Sequence, residues 1–204
     1  MGPTEPAGPD ASRGQAHALE GIAAALLILT SVVFALQVTA VTPLTASTAS
    51  QHLQTQGAGV TEGALATAAE RGALKDQVLY WNESTGQFYA TGESGTYGTT
   101  PPTEFGTILD RTLAEAGLIY NVNVLYLTSV GDQRVRPVVH QGEPSDQAVT
   151  VTRTITLYDD DRLRAADESP SGTTLAATDG FFINDVAQGP LYNVVRVEVV
   201  VWQV

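Results

Sequence analysis

The sequence has no cysteine, which excludes a disulfide-built scaffold, a thiolate metal site and a cysteine nucleophile together. Positive charge is scarce as well: ten Lys and Arg stand against 22 Asp and Glu, the formal net charge is −12, and Lys75 is the single lysine. So acidic a chain cannot neutralise a run of phosphates, and nucleic acid is excluded as a class of partner. The three histidines, His17, His52 and His140, match no metal-ligand spacing, and H-E-x-x-H is absent. G-x-S-x-G is absent too, Gly92-Glu93-Ser94-Gly95 being a near miss, and there is no P-loop. Gly57-Ala58-Gly59 opens a run like G-x-G-x-x-G, but Glu62 stands at the third glycine and no strand precedes it. No catalytic residue, cofactor or metal is expected, and the chain does not read as an enzyme.

What the sequence does have is an uncharged apolar run, GIAAALLILTSVVFALQVTAV, from Gly21 to Val41. As a helix rising about 1.5 Å per residue it reaches about 31 Å, the depth of a bilayer's hydrocarbon core. It is apolar on every side, and Thr30 and Ser31 can return their hydroxyls to helix carbonyls. Arg13 lies on the N-terminal flank, whereas no Lys or Arg follows the run until Arg71. The positive-inside rule therefore places residues 1–20 in the cytoplasm and the rest outside, giving a single-pass protein of the cell membrane. Cleavage after Val38-Thr39-Ala40, as in a secreted protein, is the competing reading.

The expected divisions are a cytoplasmic segment 1–20, a span 21–41, a polar stalk 42–60 and an exterior domain 61–204. Pro43 is expected to end or kink the helix, and Gly57 and Gly59 to break a polar helix over 46–56. Thr61 then caps a helix to about Trp81, with Leu74, Val78 and Trp81 on one face. Residues 82–102, rich in Gly, Ser and Thr, read as an exposed loop in which Asn82-Glu83-Ser84 is an N-glycosylation sequon. Thr103 caps a second helix whose apolar stripe is Phe105, Ile108, Leu109, Thr112, Leu113 and Ala116, with Gly117 as its stop.

Beyond Gly117 the hydrophobic period changes from about 3.6 to 2, as it does where helix gives way to strand. Strands are expected at 118–128, 135–140, 149–158 and 192–204, the second at an edge because of Pro137. The connection 159–190 is rich in Asp, Gly and Ser, and Phe181-Phe182-Ile183 within it is expected to tuck into the core. Asp159-Asp160-Asp161 offers oxygen ligands to a cation, but Arg164 stands where an EF-hand needs its glycine, and a solvated acidic turn is favoured. Asp167-Glu168 is an ordinary surface carboxylate pair. The fold class is α+β: one or two helices packed on a four-stranded antiparallel sheet, after an N-terminal transmembrane helix.

Arg13-Gly14-Gln15-Ala16-His17-Ala18-Leu19-Glu20-Gly21, running into the apolar stretch, resembles an N-terminus of the type IV pilin superfamily. The following ALQVTAVTPLTASTASQHLQTQ is similar to that of a set of uncharacterised haloarchaeal single-pass membrane proteins, as are the low lysine and high acid content. The resemblance implies cleavage by a prepilin peptidase between Gly14 and Gln15, and packing of the helix with other pilin-like subunits. It also implies contact of Glu20 with a neighbour's terminal amine, although Glu20 is the sixth residue after Gly14 and the family's acidic residue the fifth. The foremost reading is thus a membrane-anchored, pilin-like subunit or minor pseudopilin. A tethered or secreted binding or adhesion domain that never polymerises comes next, and an extracytoplasmic enzyme last.

Overall fold

The computed structural model describes the backbone of residues 9–203 and the side chains of 17–36 and 51–203. The chain forms two compact units, Met1–Gln51 and His52–Val204. Helix α1 (Pro9–Glu70) supplies residues to both. It passes through Pro43, Gly57 and Gly59, where the sequence suggested interruptions. A proline forgoes one backbone hydrogen bond, and a glycine costs about 1 kcal/mol relative to alanine; neither is decisive where tertiary packing favours the helix. At Gly57 that packing is visible, since a Cβ there would lie 3.9 Å from the Val201 side chain.

In the second unit, Thr61 sits inside α1 rather than capping a new helix. It is buried, and its hydroxyl donates to the Gly57 carbonyl at 2.7 Å. The chain turns at Gly72 (φ +77°), a left-handed position that suits glycine, and resumes as α2 (Ala73–Leu79). The single expected helix is therefore two, with Leu74 and Val78 buried as anticipated and Trp81 already in a strand. Strands β1 (Trp81–Asn82) and β2 (Gln87–Phe88) make a small hairpin. The stretch read as a loop thus anchors itself: Phe88 and Tyr97 are buried, and Tyr97 bridges Val139. Two aromatic side chains outweigh the polar composition around them.

Helix α3 (Glu104–Leu109) starts as expected, with Thr103 Oγ1 accepting from the Gly106 N–H at 3.2 Å. A single π turn, Asp110–Ala114, follows, and Gly117 (φ +73°) ends it. Phe105, Ile108, Leu109 and Leu113 are buried, whereas the wider π turn leaves Ala116 exposed.

The main sheet contains β3 (Ile119–Leu127), β4 (Gln133–His140), β5 (Val149–Tyr158) and β8 (Leu191–Trp202), all antiparallel in the order β4-β3-β8-β5. Strand β4 is at an edge, as Pro137 requires, and a register shift opposite Val122 and Asn123 lets both Val138 and Val139 be buried. Between β5 and β8 lie a second hairpin, β6 (Arg162–Arg164) with β7 (Pro170–Thr174), and a 3₁₀ turn, Leu175–Ala177. Phe181 and Ile183 tuck inward.

One face of the sheet, carrying Tyr120, Val122, Val124, Val195, Val197, Val199 and Val201, shares a core with Ala64, Leu65 and Ala68 of α1 and with α2 and α3. A nest of aromatic rings closes one end: Trp81, Phe88, Phe181, Phe182 and Tyr126 meet at 4.7–6.4 Å, mostly edge to face. Trp81 Nε1 donates to the Gly180 carbonyl at 2.8 Å, and the Arg136 guanidinium lies 5.0 Å above the indole.

Candidate functional site: an apolar span and an open sheet face

Within the first unit, His17–Leu36 is a 20-residue helical segment long and apolar enough to cross a bilayer, and none of it is buried by other parts of the chain. Leu19, Leu27, Ile28 and Phe34 are all at least two-thirds exposed. Its polar hydroxyls are internally satisfied: Thr30 Oγ1 donates to the Leu26 carbonyl at 2.6 Å and Ser31 Oγ to the Leu27 carbonyl at 2.8 Å. At its start Glu20 reaches His17 Nδ1 at 3.6 Å, both side chains being solvent-exposed. Gly14 and Gln15 lie on α1, but their side chains, like those of residues 37–41 of the expected span, fall outside the described residues.

In the second unit Asp161, Asp167 and Glu168, among the carboxylates singled out from the sequence, have structural partners. Asp161 meets Lys75 at 2.6 Å and accepts from the Tyr158 N–H at 2.7 Å. Asp159 and Asp160 share that turn, and no group of three or more metal-ligating side chains occurs among the described residues. Asp76 accepts from Arg164 Nε at 2.8 Å, tying α2 to β6. Glu168 accepts from the Glu104 N–H at 3.0 Å, supplying the first turn of α3 with an acceptor from a distant hairpin. Asp167 accepts from both the hydroxyl and the N–H of Ser169, and these bonds hold its carboxyl below the usual range. None of these long-range partners is legible from local spacing.

Asn82 lies at the exposed end of the β1–β2 hairpin, its Oδ1 accepting from Ser84 N at 3.0 Å and Ser84 Oγ at 2.6 Å. His52 and His140 are exposed and far from any common centre, and Ser94 bonds only within its own turn. A cleft of about 440 Å³ opens between Thr67 of α1, Arg71 in the turn after it, Thr103, Glu104 and Arg111, and Glu168. Arg71 and Glu104 pair across it at 3.5 Å.

The second face of the main sheet is uncovered over its middle. By register it presents Gln133–Leu127–Val194–Thr156, then Val135–Leu125–Arg196–Thr154, then Pro137–Asn123–Glu198–Thr152. Val135 is 54% exposed, Val194 44% and Leu127 43%, an apolar strip next to the Arg196 guanidinium. A groove of about 200 Å³ runs along Leu125, Leu127, Val194 and Arg196. Alternation alone indicated which residues share a face of one strand; only the register shows which rows combine into a surface.

These features define an α+β protein with one apolar N-terminal helix able to cross a membrane and a four-stranded antiparallel sheet in its C-terminal part. The chain belongs to a family of unknown function, DUF7288, whose model matches residues 13–201. No curated protein and no solved structure matches it.

Proposed function

We propose that the chain is a single-pass surface protein of the cell membrane, a pilin-like subunit or minor pseudopilin of an assembly in a halophilic archaeon. The N-terminus is cytoplasmic and the sheet-bearing unit outside, on the strength of Arg13 before the span and no Lys or Arg after it until Arg71. The observation that carries the proposal is the fully exposed apolar segment His17–Leu36 on helix α1, whose last turns pack against an antiparallel sheet. In water each exposed leucine or phenylalanine costs on the order of 1.5–3 kcal/mol relative to burial, and lipid removes that cost. The acidic composition, with one lysine, supports the halophilic reading.

In this reading prepilin peptidase cuts between Gly14 and Gln15, and Glu20 meets a neighbouring subunit's new terminal amine. The partners are the bilayer, that peptidase and other pilin-like subunits; no nucleic acid takes part. Mass spectrometry of the mature N-terminus from native membranes tests it. Gln15 as first residue is the expected result. Met1 or Gly2 would leave a plain tethered domain, and Val41 would overturn the anchor itself. Resistance to alkaline extraction, with external protease reaching residues 52–204 in intact cells, checks location independently.

A further inference from the structure

Of the five asparagines in the sequence, only Asn82 opens an N-x-Ser/Thr triplet. The structure sets it apart on a second, independent ground. Asn121 Nδ2 donates to the Gly142 carbonyl at 2.8 Å, and Asn123 Nδ2 to Glu198 Oε1 at 3.1 Å. Asn193 Nδ2 donates to the carbonyls of Leu127 and Asn184 at 3.0 and 2.9 Å. Those three amide nitrogens are committed to holding the main sheet and its connections in place. Asn82 commits only its oxygen, which accepts from both the N–H and the hydroxyl of Ser84. Its Nδ2 has no hydrogen-bond partner among the described residues and is not buried, so solvent reaches it. The backbone also presents the triplet outward. Trp81 turns into the aromatic nest, so Asn82, the next residue of β1, points to the other side. Glu83, Ser84, Thr85 and Gly86 are exposed, and only two residue pairs, Trp81–Phe88 and Asn82–Gln87, close the hairpin. The tie from the Thr178 hydroxyl to Glu83 uses neither Asn82 nor Ser84.

We propose that Asn82 is a site of N-glycosylation, carrying an oligosaccharide transferred from a lipid-phosphate-linked donor at the outer face of the membrane. Nδ2 attacks the anomeric carbon of the donor's first sugar. A carbon–nitrogen bond forms as the bond from that carbon to the phosphate oxygen breaks; the lipid phosphate leaves, and Nδ2 gives up one proton to a base of the transferase. The Ser84 hydroxyl is the third-position group that marks the triplet for transfer. A bulky, solvated glycan at this tip keeps the hairpin end of the unit out of contact with neighbouring chains. The inference rests on the membrane-anchored reading in one respect, that residues 52–204 lie outside, where donor and transferase meet the chain.

The full chain recovered from native membranes provides the test. Trypsin releases Asp76–Arg111 as one peptide, because no Lys or Arg lies between Lys75 and Arg111, and its mass and fragments are read. The expected result is a glycan mass on Asn82. Asn82→Asp keeps an oxygen acceptor for Ser84 but lacks the amide nitrogen, so it should lose the modification completely while its melting temperature stays that of the unglycosylated chain. Ser84→Ala should lose the glycan as well, and Ser84→Thr should retain it. Protease is added to intact cells in parallel. Unmodified Asn82 in a chain whose residues 52–204 are cut from outside would overturn this proposal and leave the sidedness standing. Unmodified Asn82 in a chain that the protease does not reach would overturn both. A glycan that persists in Ser84→Ala would refute the assignment too, since the triplet would not then direct the transfer.

Discussion

Gly106 gives the most stringent check on how the helical layer meets the chain before it. The third residue of α3 passes so close to the preceding segment that a Cβ at Gly106 would lie 1.9 Å from the Pro101 carbonyl oxygen and 2.8 Å from its carbon. Both atoms are backbone, so no side-chain rotation relieves the clash. Either Pro101-Pro102 moves outward or α3 does, and the latter strains the Thr103 cap and the buried Phe105. Overpacking of this kind costs about 1–3 kcal/mol, and a backbone-to-backbone clash belongs at the upper end. For a unit of this size Gly106→Ala should lower the melting temperature by roughly 6–12 °C. The control is Gly63→Ala, on the exposed face of α1 with nothing within 4 Å, which should stabilise by up to ~1 kcal/mol through helix propensity. Both tryptophans, Trp81 and Trp202, are buried in the second unit, so fluorescence during thermal or urea unfolding of the detergent-solubilised full chain reports on it directly. An unchanged midpoint for Gly106→Ala, or equal losses for the two variants, would refute the close approach.

Alkaline stability should fall. Burial raises the hydroxyls of Tyr80, Tyr97, Tyr120 and Tyr192 above their ordinary value of 10.0, so above that pH the unfolded chain releases protons that the folded chain retains. Stability is then intact below pH 10 and declines beyond it; urea midpoints at pH 8 and pH 11 that coincide would contradict this. Asp161→Ala should cost about 2 kcal/mol, because it strips Lys75 and the Tyr158 N–H of a shared acceptor, whereas Arg71→Ala at the exposed Arg71–Glu104 pair should stay within ~0.5 kcal/mol. Unfolding free energies of the two variants decide whether burial separates the pairs as stated.

Much of the second unit was legible in the sequence because its signals are local. The Thr103 cap, the Phe105–Leu113 stripe and the Val149–Tyr158 alternation each depend on residues within a few positions of one another, and each recurs in the structure. The errors arose where local preference met tertiary packing. Thr61 has the chemistry of a cap but spends its hydroxyl on the Gly57 carbonyl inside a helix. Residues 82–102 look like loop by composition, yet Phe88 and Tyr97 draw them into the core. The candidate site divides in the same way. The apolar span could be read from composition, because lipid compatibility depends on a run of neighbours. The open sheet face could not, because it combines residues of β4, β3, β8 and β5 drawn from positions 123 to 198.

By itself, then, the sequence determined the apolar helix, the α+β class and the periodicity of each main strand, since all of these follow from solvation and sterics over short stretches. Only the tertiary structure decided the strand order β4-β3-β8-β5 and the pairing of Asp161 with Lys75 and of Asp76 with Arg164. The reason is physical. Which charges meet is set by register and packing between segments as many as 88 residues apart, and no local pattern encodes that distance.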